Sequence, residues 1–214
     1  MKSFDELFLQ TRVVAILRKV EPSLLCDVLG ALYDGGIRLA EITYDHSGEI
    51  SDETIAKNIR AAHEHMSGRM YIGAGTVTRA SQVELTASVG GSFIISPNTD
   101  AEIIKLSRKH GLISMPGAMT VSEISTALDA GADYVKLFPA SSLGPKFVKA
   151  VLAPFSDARL VAVSGVTPEN MREYLDAGCV GFGVSSGIVQ SALLSKRDFN
   201  AISENARRYV DAAR

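Results

Sequence analysis

The chain is poor in cysteine, with only Cys26 and Cys179 among its 214 residues. Two thiols in a chain this long make no disulfide framework. Cys26 falls in a helical pattern and Cys179 at the start of an apolar strand, which reads as two core thiols. No apolar run approaches the roughly 18 residues of a transmembrane helix. The opening segment MKSFDELFLQTR carries acids and lacks the apolar stretch of a signal peptide. The expected location is therefore the cytoplasm, with no membrane partner. Charge of one sign is also lacking. The formal net charge is −2 and no long basic stripe occurs, so no nucleic-acid partner is expected. Neither a GxGxxG fingerprint nor a GxxxxGK(S/T) phosphate loop is present. His63-Glu64-His65 falls on a helical pattern, where residues two apart point to different sides and cannot converge on one ion. No metal and no cofactor are expected.

What is there is apolar material in a regular rhythm. Hydrophobic residues make up 46% and charged residues 21%, enough for a large core and too little charge for disorder. Short apolar runs fall at 13–17, 39–44, 70–76, 93–97, 112–117, 134–139, 159–165 and 180–186, and each is followed by an amphipathic stretch. Strands buried on both faces read as continuous apolar runs, and strict β-α alternation implies a parallel sheet with right-handed crossovers. Eight such units in this length favour closure into a (β/α)8 TIM barrel, read as one domain over 1–214. The first dozen residues read as an additional N-terminal helix outside the repeats. Helix starts are expected near Pro22, Ser51 and Thr167-Pro168, where Ser, Thr or Pro suits a first turn. Helix ends are expected at Gly35, Gly90, Gly111, Gly131 and Gly178.

In this fold the chemistry lies at the C-terminal ends of the strands. Lys136 interrupts the apolar run YVKLFP, sharing a face with Tyr134 and Phe138. If that face points inward, lost hydration favours the neutral, nucleophilic amine. The plain alternative is a lysine paired with a buried carboxylate or snorkelling outward. Glu41 is the one acid in LAEITY, grouped with Leu39 and Thr43. Beside a reactive amine it can shuttle protons; otherwise it is an ion-pair partner. Arg18 ends the first strand and could grip a carboxylate through two parallel hydrogen bonds, or stand at the surface. Thr76 offers a hydroxyl at a strand end after Gly73-Ala74-Gly75, where the glycines admit either a ligand or barrel curvature. Ser164-Gly165 and Gly183-Val184-Ser185-Ser186-Gly187 close the last two strands, where this fold often holds phosphate on backbone N–H groups. His46, beside Asp45, lies at the mouth of the second strand.

The motifs VVAILR, LAEIT, IGAGTV, FIISPN, MPGAMTVSEI, YVKLFPASSLGPKFVKAV, SGVTPENM and DAGC span nearly the whole chain. In this set and order they resemble the bacterial aldolases that cleave 2-keto-3-deoxy-6-phosphogluconate and 4-hydroxy-2-oxoglutarate. The resemblance implies a Schiff-base lysine at Lys136 and a general acid/base at Glu41. It implies carboxylate contact at Thr76, a pyruvate pocket lined by Pro97 and Phe138, and phosphate-gripping loops at Ser164-Gly165 and at Ser186. It implies a homotrimer and a small 2-keto acid substrate, usually phosphorylated. Three positions depart from the pattern. Asp45 stands where many relatives carry Arg for the substrate carboxylate, a role Arg18 could take. Ser164 stands where the phosphate loop usually has a second glycine. Val163 replaces a threonine and, with SLGPKF, looks more like the branch acting on the galactonate epimer. A sugar-phosphate epimerase or isomerase, or a non-catalytic sugar-acid-binding barrel, could use the same fold.

Overall fold

The computed structural model describes residues 2–214. Among them the chain forms helix α1 (Phe4–Thr11) and then strands and helices in alternation. The first half runs β1 (Val13–Leu17), α2 (Pro22–Asp34), β2 (Leu39–Thr43), α3 (Asp52–His65), β3 (Tyr71–Gly75), α4 (Ala80–Ser88), β4 (Phe93–Ile95) and α5 (Ala101–Lys109). The second runs β5 (Ile113–Met115), β6 (Gly117–Ala118), α6 (Val121–Asp129), β7 (Val135–Leu137), α7 (Ala140–Leu152), β8 (Leu160–Val163), α8 (Met171–Ala177) and β9 (Gly181–Val184), before α9 (Ser191–Lys196) and α10 (Phe199–Ala212). All pairings are parallel, in the order β5-β4-β3-β2-β1-β9-β8-β7-β6. This is a TIM-barrel architecture.

The fifth expected strand, 112–117, is divided. Pro116 has no N–H to give a ladder, and the strand is interrupted there. β5 pairs with β4 and β6 pairs with β7, so the two short pieces close the barrel together. Pro116 still accepts a hydrogen bond from Lys136 N–H at 2.8 Å. Two other local expectations shift. The start expected at Thr167-Pro168 is a turn in which Asn170 Oδ1 accepts from Thr167 N–H, and α8 begins only at Met171. Gly35 is not left-handed; Gly36 is, at φ 96°. Gly35 is glycine because a Cβ there would meet Ser203 O and Ala206 of α10.

Burial decides the facing that alternation alone leaves open. Val14, Ile16, Leu39, Phe93, Ile95, Met115, Tyr134, Val161 and Val163 form one cluster inside the barrel with Phe4, Leu7 and Phe8 of α1. Ala15, Leu17, Ala40, Ile42, Val135 and Leu137 belong to the larger cluster between strands and helices. Glu41 and Lys136 share the parity of the first set, so both point inward. Helix α1 is held by a capping box between Ser3 and Glu6, which satisfies free N–H groups of its first turn. It plugs the N-terminal end of the barrel, with Phe8 edge-on to Tyr134 and Phe4 edge-on to Phe93. No helix of the described residues is long and apolar enough to cross a membrane.

Candidate active site

Position in the sheet explains which polar groups can meet at the open end. Glu41 lies in register with Ile16 of β1 and Gly73 of β3. Lys136 lies in register with Gly117 of β6 and Val161 of β8. Both are buried, Glu41 to 2% exposure and Lys136 to 7%. Room for the carboxylate comes from Gly75, where a Cβ would overlap Glu41 Oε1. Gly73 leaves room for the Phe93 ring in the same way. These two glycines therefore accommodate neighbouring side chains of the barrel rather than an incoming ligand.

The carboxylate and the amine both have displaced ionisation. Among the described residues Glu41 Oε2 has no hydrogen-bond partner, a costly state for a buried polar atom. Burial pushes the Glu41 carboxyl up to about 7, against the opposing pull of Lys136 and Arg18. Burial also pushes the Lys136 amine down; Glu41 opposes this and Arg18 assists it. Desolvation is thus the leading cause for each, and it favours neutral forms of both. The amine also stands 4.7 Å from the centroid of the Phe138 ring. This arrangement suits a group that must lose its proton before attacking a carbonyl.

Above this pair the mouth holds two cavities that share Arg18 as a wall. One, of about 410 Å³, is lined among others by Ile16, Arg18, Phe138, Val163, Ser164, Gly165 and Ser186. The other, of about 200 Å³, is lined among others by Arg18, Thr43, Asp45, His46 and Thr76. Arg18 is exposed and, among the described residues, forms no ion pair or side-chain hydrogen bond, so its guanidinium is free for an anion. Pro97 lines neither cavity. It is half-buried, and its carbonyl packs where a Cβ on Gly117 would fall. Of the expected site residues, Arg18, Phe138, Ser164, Gly165 and Ser186 line the larger cavity and Arg18 and Thr76 the smaller, while Glu41, Lys136 and Pro97 line neither.

Three loops at this end hold non-glycine residues in the left-handed region, Lys19 at φ 50°, Thr76 at φ 59° and Ser164 at φ 81°. Such backbone costs on the order of 1–3 kcal/mol per residue and persists only where neighbours hold it. Ser164 is followed by Gly165, also left-handed at φ 71°. Ser164 O accepts from Ser141 N–H, and Gly165 O accepts from Asn170 Nδ2. A Cβ on Gly165 would strike Ser141, so this loop tolerates the serine but requires the glycine after it. The Thr76 carbonyl meets His46 Nε2 at 3.1 Å.

Asp45 does not project as a free anion. Its carboxylate accepts from Ser47 N–H and Oγ and from Ile50 N–H. Those bonds hold it below the usual carboxylate range. Sequence reasoning missed Gln82, which is fully buried on α4 and bonds both Thr78 N–H and Asp52. Its only signal was an amide at a position of the buried helix face. Cys179 is buried and unpaired, its thiol pushed up to about 12, and Cys26 is half-buried and unpaired.

Residues 4–205 match the family described as KDPG and KHG aldolase. The chain is 34% identical over 201 residues to the 2-dehydro-3-deoxy-6-phosphogalactonate aldolase of Escherichia coli, covering 94% of this chain and 95% of that one. It is 30% identical over 205 residues to the KHG/KDPG aldolase of the same organism, covering 94% and 91%. A KDPG aldolase from Legionella pneumophila, solved with pyruvate captured as a covalent carbinolamine intermediate, superposes with a TM-score of 0.84 at 25% identity, covering 94% of this chain and 95% of that one. With a matching family description over nearly its full length, and relatives that are carbon–carbon lyases, the chain belongs to the KDPG and KHG aldolase family.

Proposed function

We propose that the chain is a class I aldolase that cleaves 2-keto-3-deoxy-6-phosphogluconate, 4-hydroxy-2-oxoglutarate or both, through an imine on Lys136. The observation that carries this is the buried pair at the barrel mouth, an amine pushed down and a carboxyl pushed up to about 7. A base poised near the working pH is effective in proton transfer.

The neutral Lys136 amine attacks the C2 ketone and forms a carbinolamine. Loss of water gives the iminium. Glu41, directly or through a water, takes the proton of the C4 hydroxyl. The C3–C4 bond breaks and its electron pair enters the iminium, giving an enamine and an aldehyde. The aldehyde is glyceraldehyde 3-phosphate from the phosphogluconate and glyoxylate from hydroxyoxoglutarate. Protonation at C3, with Glu41 returning the proton, and hydrolysis of the imine release pyruvate and free Lys136. Thr76 and Arg18 hold the carboxylate end, and Phe138 flanks the pyruvate unit. Ser164, Gly165 and Ser186 take the distal phosphate on N–H groups and hydroxyls. The catalytic unit is one domain over 1–214, acting as a cytoplasmic homotrimer.

One observation favours a second substrate. Val163 puts an apolar wall beside the Ser164-Gly165 loop, and the relative at 34% identity is named for the phosphogalactonate epimer. Assaying both epimers separates these readings by the ratio of their kcat/KM values.

The decisive test of mechanism is borohydride reduction in the presence of pyruvate, followed by peptide mass mapping. An adduct on Lys136 is the expected result. Absence of any adduct on folded protein overturns the imine and favours an epimerase or a binding protein on the same barrel.

A further inference from the structure

We propose that His46 is a positioning residue, whose Nε2 clamps the turn at Thr76 so that the Thr76 hydroxyl is aimed at the carboxylate of a 2-keto acid. The proposal rests on the reading above, in which Thr76 contacts that carboxylate.

Thr76 is β-branched and left-handed, at φ 59°. That combination is a genuine outlier and must be imposed from outside the residue. Two ties impose it. On one side His46 Nε2 lies 3.1 Å from Thr76 O and 3.1 Å from Thr78 Oγ1. A carbonyl only accepts, so Nε2 carries the proton and donates to it. On the other side Thr78 N–H donates to Gln82 Oε1 at 3.0 Å, and Gln82 Nε2 donates to Asp52 Oδ1 at 3.2 Å. Arg79 Nη2 holds the same Asp52 at 2.9 Å. The turn is thus bracketed between the loop after β2 and the starts of α3 and α4.

His46 is exposed and adds little to the core, so its contribution is the bond and not packing. Its loop is itself set, because Asp45 is consumed by Ser47 and Ile50 N–H groups. His46 and Thr76 line the same cavity of about 200 Å³. Nothing in the reaction requires His46 to exchange a proton with substrate, which separates it from Glu41.

The test uses exchange of pyruvate methyl protons with deuterated water, which reports imine and enamine formation without the aldehyde partner. His46→Ala should raise KM for pyruvate about fivefold, the size of one ordinary hydrogen bond, with kcat within about twofold. His46→Gln carries an N–H at a similar reach and should restore KM. In a Thr76→Gly background, where the left-handed turn is unstrained and the hydroxyl is gone, His46→Ala should add nothing. Unchanged KM in His46→Ala overturns the clamp. So does an equal, additive loss in the Thr76→Gly background, because His46 would then act without Thr76. A wild type that neither exchanges nor traps pyruvate sinks the aldolase reading instead. The clamp is then judged by the backbone of Thr76 in a crystal structure of His46→Ala. Departure from the left-handed region supports it, and retention overturns it.

Discussion

The two ends of the barrel interior are made from the same strands and treat polar groups in opposite ways. At the N-terminal end, Tyr134 O–H donates to Asp5, Arg159 donates to both, and the guanidinium also stacks 4.0 Å above the Tyr134 ring. Every polar group of that cluster is partnered, and the rings of Phe4, Phe8 and Phe93 pack around it. At the C-terminal end, Glu41 keeps an oxygen with no partner and Lys136 is buried without an ion pair among the described residues. Left-handed non-glycine backbone occurs at both ends, at Arg12 on the first and at Lys19, Thr76 and Ser164 on the second. One end therefore holds a satisfied network that stabilises the fold. The other holds buried polar groups left without partners, which is where reactivity is available.

The largest expected effect that sharpens this contrast is Lys136→Met. Aldolase activity should fall by roughly 10⁴-fold or more, the scale seen when an essential group is removed, while thermal unfolding stays cooperative. Full activity in this variant would dissolve the contrast, since the buried amine would then be idle. Glu41→Gln comes next, with a fall in kcat of about 10²- to 10⁴-fold. The wild-type kcat/KM profile should show an acidic limb near 7, where Glu41 gains its proton, and the Gln variant should lack it.

The same substitution should raise stability at neutral pH, and the sign follows from proton binding. The Glu41 carboxyl moves from 4.5 in the unfolded chain up to about 7 in the fold. As pH rises through that window the unfolded state ionises first, so wild-type stability falls and then levels off above about 7. Glutamine removes a loss of about 3 kcal/mol, less whatever Lys136 forfeits in attraction. Urea unfolding at the two ends of the window measures it, and equal stability of the two proteins throughout would contradict the burial of a strained carboxyl. At the opposite end, Phe8→Ala should cost about 3–5 kcal/mol of stability and leave pyruvate trapping on Lys136 intact below the melting temperature. Loss of trapping in a variant still folded at the assay temperature would mean that the ends are not independent.

Much of this was readable from the chain. Continuous apolar runs such as VVAIL and LAEIT and the amphipathic stretches between them specify alternation, because strands buried on both faces have no polar side to show. The spacing of Tyr134, Lys136 and Phe138 made one face, and so did Leu39, Glu41 and Thr43. The division of the fifth strand was also written locally, in Pro116, but its effect on closure depends on which neighbours pair with each half. The start of α8 moved because Asn170 caps a turn at Thr167 that competes with helix.

Other features belong to contacts between distant segments. Gly75 in the sequence admits either a ligand or barrel curvature, and in the fold it is room for Glu41, a residue on the neighbouring strand. His46 and Thr76 are 30 positions apart and meet only because β2 and β3 are neighbours. Periodicity determined the strands, the helices and the grouping of Lys136 and Glu41 with their face-mates, because a side chain's parity is a local property of extended backbone. Tertiary structure alone decided that those faces point inward, that burial brings the amine and the carboxyl toward neutrality, and that Arg18 remains free above them. Desolvation and close approach are set by neighbours that the order of residues does not name.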